Sequence, residues 1–211
     1  MKQNMRKRTP LAVLLALCLA MQLCVPAAMA SNRLMRAGDA AIAQIEEEEG
    51  FRAEKYSSGG KWYIGYGTEC GAADYPEGIT REEAELLLMS KVEAYEAKLN
   101  DFFGRYDVTP TQGQFDALIC FSYNFGTGWM SGTSDLVKIA RGEKDATRLE
   151  VAHAFGEWCH SGGQAQAGLA DRRLQEAAIY LDDGTRTAEN EFAYLIINME
   201  SGTSYETDFA V

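Results

Sequence analysis

Ile45-Glu46-Glu47-Glu48-Glu49-Gly50-Phe51-Arg52, continued by Tyr56, Gly59-Gly60 and Trp62-Tyr63-Ile64-Gly65-Tyr66-Gly67, is where the chain changes character. Upstream, Leu34, Met35, Ala41, Ile42 and Ile45 recur at helical spacing. That spacing predicts an amphipathic helix over 32–49, stopped by Gly50. Downstream, turn residues and aromatics alternate through 51–79, which predicts short strands or a hairpin. A helix feeding one small β region, with further helices behind it, is an α+β arrangement with segregated elements.

The acidic run has a direction. At about 100° per residue, the apolar stripe centred on Ile42 and Ile45 passes closest to Glu49. Glu46 and Glu48 flank the stripe, and Glu47 points away. Glu49 is also the last helical residue, where the helix end carries partial negative charge and disfavours a carboxylate. A partly desolvated acid in such a place is a candidate general acid. The alternative is an acid that pairs with an arginine or is hydrated at the helix end.

Further along, Thr80 followed by Glu83 is a capping box that opens a helix through Leu86, Leu87, Val92 and Leu99. Thr111 followed by Gln114 opens another through Phe115, Leu118, Ile119 and Tyr123 to Gly126. Shorter helices are expected near 134–141, 145–158 and 168–181, with a loop from Ser161 to Gly168. Residues 184–211 form a separate C-terminal extension in which Phe192-Ala193-Tyr194-Leu195-Ile196-Ile197 reads as a strand or the start of a further domain. The segment is too short to fold alone.

Residues 1–30 read as an address. Lys2, Arg6, Lys7 and Arg8 precede an apolar run from Leu11 to Val25 and an Ala28-Met29-Ala30 end. This is the pattern of a secretory signal peptide cleaved after Ala30, and it implies export to the cell exterior or the cell wall. The run is short of the roughly 20 residues needed to span hydrocarbon. The whole chain of 211 residues carries a net charge of -11. Residues 31–211 hold 16 basic and 31 acidic side chains, a net of -15. Such a balance argues against a nucleic-acid partner held by phosphate neutralisation. Cys70, Cys120 and Cys159 remain after cleavage, and in an oxidising compartment one disulfide and one free thiol are expected. Their wide spacing and the two histidines give no metal-binding pattern. No glycine-rich phosphate loop is present, and no cofactor is implied.

Glu49-Gly50-Phe51-Arg52, Tyr56 and Trp62-Tyr63-Ile64-Gly65-Tyr66-Gly67 resemble the opening of the bacteriophage-type lysozymes, the muramidases of glycoside hydrolase family 24. That family opens with a helix ending in Glu-Gly, then a Tyr, then a strand ending in Ile-Gly-x-Gly. Further matches follow in order: Gly78-Ile79-Thr80-x-x-x-Ala84, Thr111-Gln112-Gly113-Gln114-Phe115-Asp116-Ala117-Leu118, Tyr123-Asn124-Phe125-Gly126-Thr127-Gly128, Phe155-x-x-Trp158, Gly162-Gly163 and Gly168-Leu169-x-x-Arg172-Arg173-x-x-Glu176. The resemblance spans about residues 34–183 and makes 31–183 the catalytic domain. It implies a lysozyme-like α+β fold, mostly helical, with a small β-hairpin lobe and a substrate cleft between lobes.

By this resemblance Glu49 falls on the catalytic acid, Arg172 on or beside an arginine close to it, and Asn124 on a cleft-lining amide. Phe115 and Trp158 read as core. Two family residues are missing: the Asp two positions after the Tyr, and the Thr before Ile-Gly. Here Tyr56 is followed by Ser57 and Ser58, and Tyr63 precedes Ile64. Ser57, Ser58 and Tyr63 are then the candidates for holding a water, while Glu69 and Asp74 are the nearby acids. His after the last Gly is replaced by Thr68. The implied function is a secreted, monomeric muramidase acting on peptidoglycan glycan strands. A lytic transglycosylase using Glu49 alone and an inactive wall-binding module are the alternatives.

Overall fold

The computed structural model describes residues 34–181 and the strands Leu195–Ile197 and Tyr205–Thr207. The chain divides into units 1–34 and 35–211. The expected signal peptide, 1–30, lies outside the described residues. In the second unit the order is α1 (Asp39–Glu49), β1 (Arg52–Ser58), β2 (Lys61–Gly65), β3 (Thr68–Cys70), α2 (Arg81–Tyr106), α3 (Gln112–Phe125), a 3-10 turn (Gly128–Ser131), α4 (Asp135–Ala140), α5 (Arg148–Gly156), β4 (His160–Ser161), β5 (Gln164–Ala165) and α6 (Ala167–Tyr180). β6 (Leu195–Ile197) and β7 (Tyr205–Thr207) pair antiparallel with each other. The fold is a mostly helical α+β arrangement with one small antiparallel sheet, β1-β2-β3.

The centre is α3. Phe115 through Tyr123 are all buried, so this helix is enclosed on every side, and α1, α2 and α6 pack around it. Phe121 meets the rings of Phe125, Trp129, Phe155 and Trp158 at centroid distances of 5.5–5.8 Å. Phe115 is fully buried and Trp158 packs against the core, as the sequence implied. The expected capping boxes at Thr80/Glu83 and Thr111/Gln114 both form, and a third forms at Thr147/Glu150. The stretch expected as a loop between α5 and α6 contains a two-residue hairpin, β4–β5.

One helix starts later than its periodicity suggests. Residues 34–38 are not helical, and α1 begins at Asp39. Their backbone groups are claimed by distant side chains. Asn100 accepts from the Met35 N–H at 2.8 Å and donates to the Met35 carbonyl at 2.9 Å. Buried Glu96 accepts from the Ala37 N–H at 2.7 Å and from the Arg36 guanidinium at 2.7 Å. Asp116, on α3, accepts from the N–H of Gly38, the N-cap residue of α1, at 2.8 Å and so ties the start of α1 to α3. Burial pushes the Asp116 carboxyl above its ordinary range, and the bonds from Gly38 and Gln112 oppose that. A Cβ on Gly38 would stand 2.8 Å from Asp116 Oδ2. Gly38→Ala is therefore expected to displace this charge-assisted bond and cost about 2 kcal/mol. Thermal unfolding should read a fall of roughly 4–8 °C; an unchanged midpoint would remove Asp116 as the anchor of α1.

The expected disulfide is absent: Cys70, Cys120 and Cys159 are all free. They sit on β3, in the middle of α3 and just after α5, so each faces different neighbours. Cys120 is 3.7 Å from the Ala41 carbonyl, and Cys159 is 3.7 Å from His160 Nδ1. Among the described residues no helix is long and apolar enough to cross a membrane, and no three His, Cys, Asp or Glu side chains gather as a metal site.

Candidate active site

Helical periodicity sorts the four acids as the sequence suggested. Ala41 and Ile45 are buried, Glu46, Glu48 and Glu49 are half-buried, and Glu47 is exposed. Gly50 closes the helix by donating its N–H to the Glu46 carbonyl, at a φ of 64° that suits glycine.

α6 supplies the counter-charge from 123 residues away. Arg172 donates through Nη1 to Glu49 Oε1 at 2.8 Å, through Nε to Glu48 Oε2 at 3.0 Å and through Nη2 to the Glu48 carbonyl at 3.3 Å. Glu48 and Glu49 are equally enclosed, each side chain 21% exposed. Burial works against the Arg172 charge, but the bonds to Glu49 and the charge of Glu48 outweigh it and hold the guanidinium above its usual value. Arg172 thus fixes the end of α1 against α6.

The other oxygen of Glu49 faces the hairpin turn. A Cβ on Gly67 would lie 3.1 Å from Glu49 Oε2, and the φ of Gly67 is 74°. Only glycine meets both demands without strain. Gly67→Ala should lower the melting temperature by several degrees, at roughly 1–2 kcal/mol for the left-handed backbone. It should also cut turnover by about tenfold, because the methyl group displaces Glu49. Turnover equal to wild type would show that the wall at Gly67 does not position the acid.

Three residues beyond those expected from sequence complete the surroundings. Lys91, on α2, donates to the Gly67 carbonyl at 3.5 Å and lies 3.8 Å from the Tyr123 ring centroid. Burial pulls the Lys91 ammonium below its usual value, while Glu49 and then Glu69 push it back. Tyr123 donates to the Tyr66 carbonyl at 2.7 Å, and Tyr95 meets it edge-on at 6.2 Å. Burial and the nearby Glu49 charge both raise these two phenols. The signal for Lys91 was in the sequence: it follows Leu87 and precedes Tyr95 at four-residue spacing, a charge inside an apolar stripe.

The hairpin register sorts the water-holding candidates. Tyr56 pairs with Tyr63, Ser57 with Trp62 and Ser58 with Lys61. Directly opposite residues share a face, and alternate residues change face. Tyr56, Ser58, Lys61 and Tyr63 are therefore on one side, with the Tyr56 and Tyr63 rings 5.7 Å apart. Ser57 is on the other side with Trp62, away from the Tyr63 face. Tyr56 is raised by burial and, after the opposing charge of Arg52, by Glu49. Tyr56 therefore lies within reach of the Glu49 charge.

Asn124 does not join Glu49. It is exposed, and its Oδ1 accepts from Arg173 Nη2 at 3.0 Å. Beneath Glu49 is a cavity of about 10 Å³, lined by Glu48, Glu49, Cys120, Tyr123, Arg172 and Glu176 among others. That is about one water molecule's worth of space. A larger cavity, about 370 Å³, lies among Phe103, Val108, Ile139, Val151 and Tyr180 and shares none of these residues.

The arrangement offers two half-enclosed carboxyl groups on one cation, and of the two Glu49 also meets the glycine wall and reaches Tyr56 with its charge. Comparison with known proteins bears on what it does. The model of the family described as Phage lysozyme matches residues 46–176. The endolysin of Bacillus phage PZA is 35% identical over 149 residues, which is 69% of this chain and 55% of that relative. This chain therefore spans little more than half the length of that relative. Among solved structures, the endolysin from Escherichia coli O157:H7 phage FAHEc1 superposes with a TM-score of 0.59 at 32% identity, over 70% of this chain and 94% of that one. The muramidase domain of SpmX from Asticaccaulis excentricus superposes with a TM-score of 0.56 at 28% identity, over 69% of this chain and 97% of that one.

Proposed function

The chain belongs to the phage lysozyme family, and from that premise we propose that it is a muramidase, hydrolysing the β-1,4 bond between N-acetylmuramic acid and N-acetylglucosamine in peptidoglycan. The observation that carries the reading is Glu49, set at the end of α1 between the Gly67 wall and the Arg172 guanidinium. A glycosidic oxygen is a poor leaving group unless it is protonated as the bond breaks. Glu49 is the proton donor, delivering to that oxygen while a water attacks the oxocarbenium-like carbon from the opposite side of the sugar. Ser58 and Tyr63, on the sheet face of Tyr56, are the hydroxyls that hold the water.

Residues 1–30 act as a signal peptide, and the processed chain works outside the cytoplasm as a monomer. Its charge of -15 opposes approach to an anionic wall, so attraction is local. Lys61, Lys91, Arg52 and Arg172 supply the positive charge around the site.

A second reading, the lytic transglycosylase, is favoured by one observation: Ser58, not an acid, stands two residues after Tyr56. Such an enzyme closes an anhydro ring with the muramic acid's own hydroxyl and uses one acid. Digestion of purified peptidoglycan in water-18, followed by mass spectrometry, separates the two. The expected result is reducing-end muramic acid carrying one heavy oxygen. Anhydromuramic products would overturn the hydrolase in favour of the transglycosylase. Sedimentation with the wall and no released fragments would leave a binding module.

A further inference from the structure

A hydrolase that inverts at the anomeric carbon uses a second carboxylate to take a proton from the attacking water. The acids of the hairpin region are not equivalent. Asp74 is engaged in its own turn, where its Oδ2 accepts from the Gly71 N–H at 2.6 Å. Glu69 is placed differently. It pairs directly with Tyr63 across β2–β3, so it shares the face of Tyr56, Ser58, Lys61 and Tyr63. Ile64 pairs with Thr68 on the opposite face, where Ile64 is fully buried. Glu69 therefore stands on the open side of the sheet, and Lys61 Nζ holds its Oε2 at 2.7 Å.

The connection to Glu49 runs through Gly67. Glu49 Oε2 is 3.1 Å from the Cβ position of Gly67. Glu69 follows two residues later, in β3. Lys91, bonded to the Gly67 carbonyl, feels the charges of both acids. Glu49 thus meets Gly67 directly, Glu69 follows that glycine in the chain, and Lys91 couples to both acids.

We propose that Glu69 is the second catalytic carboxylate, the base that activates the attacking water in place of the missing Asp. The proposal rests on the muramidase reading. In the step, the water oxygen forms a bond to C1 of the muramic residue as the bond from C1 to the N-acetylglucosamine oxygen breaks. Glu49 gives its proton to the leaving oxygen and ends as a carboxylate. Glu69 takes the proton released by the water and ends as a carboxylic acid. Exchange with solvent restores both, and one water is consumed per bond cut. Lys61 orients the Glu69 carboxylate.

The test compares the full chain with Glu69→Ala, Glu69→Gln and Glu49→Gln on purified peptidoglycan, with and without sodium azide. Both Glu69 variants should lose about 100-fold in turnover. Sedimentation with the wall and the melting temperature should hold, since the side chain is more than half exposed. Azide should restore Glu69→Ala at least tenfold and leave an azide at the muramic C1 in the inverted configuration, an outcome no structural role would give. Azide should leave Glu49→Gln inactive. Glu69→Ala within threefold of wild type, or a loss that azide does not answer, overturns the proposal while the muramidase reading stands. Anhydro products from wild type, or equal release by wild type and Glu49→Gln, overturn that reading and this proposal with it.

Discussion

Glu49→Gln should clear cell wall at least 100-fold more slowly than wild type while remaining folded and still sedimenting with peptidoglycan. The substitution keeps size and hydrogen bonding but cannot supply a proton. General acid catalysis by a placed side chain contributes about 10²–10⁴ in rate. The fold should tolerate the change. Gln can still accept from Arg172 Nη1, and Arg172 keeps its bonds to Glu48. Glu48 remains as the counter-charge of Arg172, so little folding energy rests on the Glu49 charge alone. A melting temperature close to wild type or slightly higher is expected, as is usual when an acid is removed from a catalytic site. Zymography beside a thermal melt reads both quantities. Clearing within threefold of wild type would mean that another residue carries the acid function.

The largest loss of stability is expected from a buried ion pair within α6. Arg173 and Glu176, on α6, are 0% and 1% exposed as side chains and are bonded at 2.8 Å. Arg173 also donates to Asn124 and lies 4.6 Å from the Phe121 ring centroid. Its Nε and Nη1, and Glu176 Oε2, have no partner among the described residues. Burial pulls Arg173 down and pushes the Glu176 carboxyl up to about 8. Removing one member of such a pair leaves an uncompensated charge and costs about 3–5 kcal/mol. At this size that is a fall of roughly 6–20 °C in melting temperature.

The two single variants should not be equal. In Arg173→Met the remaining acid can take up a proton and become neutral. In Glu176→Leu the remaining guanidinium cannot lose its charge. Glu176→Leu should therefore be the more damaging. The double variant should recover most of the loss or exceed wild type, because apolar side chains replace buried ion pairs well. The pH dependence follows in sign. A raised carboxyl value means that the folded chain binds this proton more tightly than the unfolded chain. Its stabilising contribution is complete below 4.5 and is lost as pH rises through about 8. Melts at the two ends of that window should show the decline in wild type and its absence in the double variant. A Glu176→Leu variant that melts with wild type would show that the pair is not a structural unit.

The contrast between these two sites shows how much of the molecule was written locally. Helical periodicity alone turned Glu47 outward and brought Glu49 to the covered side. The Thr-x-x-Glu and Thr-x-x-Gln signals placed the starts of α2 and α3 to the residue, because a capping box is made within four positions. Alternating aromatics and glycines located the hairpin. The same local logic began α1 seven residues early. Apolar spacing over 32–38 could not reveal that Glu96, Asn100 and Asp116, some 60–80 positions away, would take those backbone groups.

What the sequence determined by itself is the order of the main elements, the side of α1 that Glu49 takes and the family, since each depends on neighbours within a turn or on a motif in fixed order. Only the tertiary structure decided who stands around that acid. Arg172 reaches Glu49 across 123 residues, and Lys91 reaches the Gly67 carbonyl from another helix. The strand register puts Ser58, Tyr63 and Glu69 on one face and Ser57 on the other. Those choices depend on how separate elements pack on α3, and contact energies between distant residues leave no periodic trace in the chain.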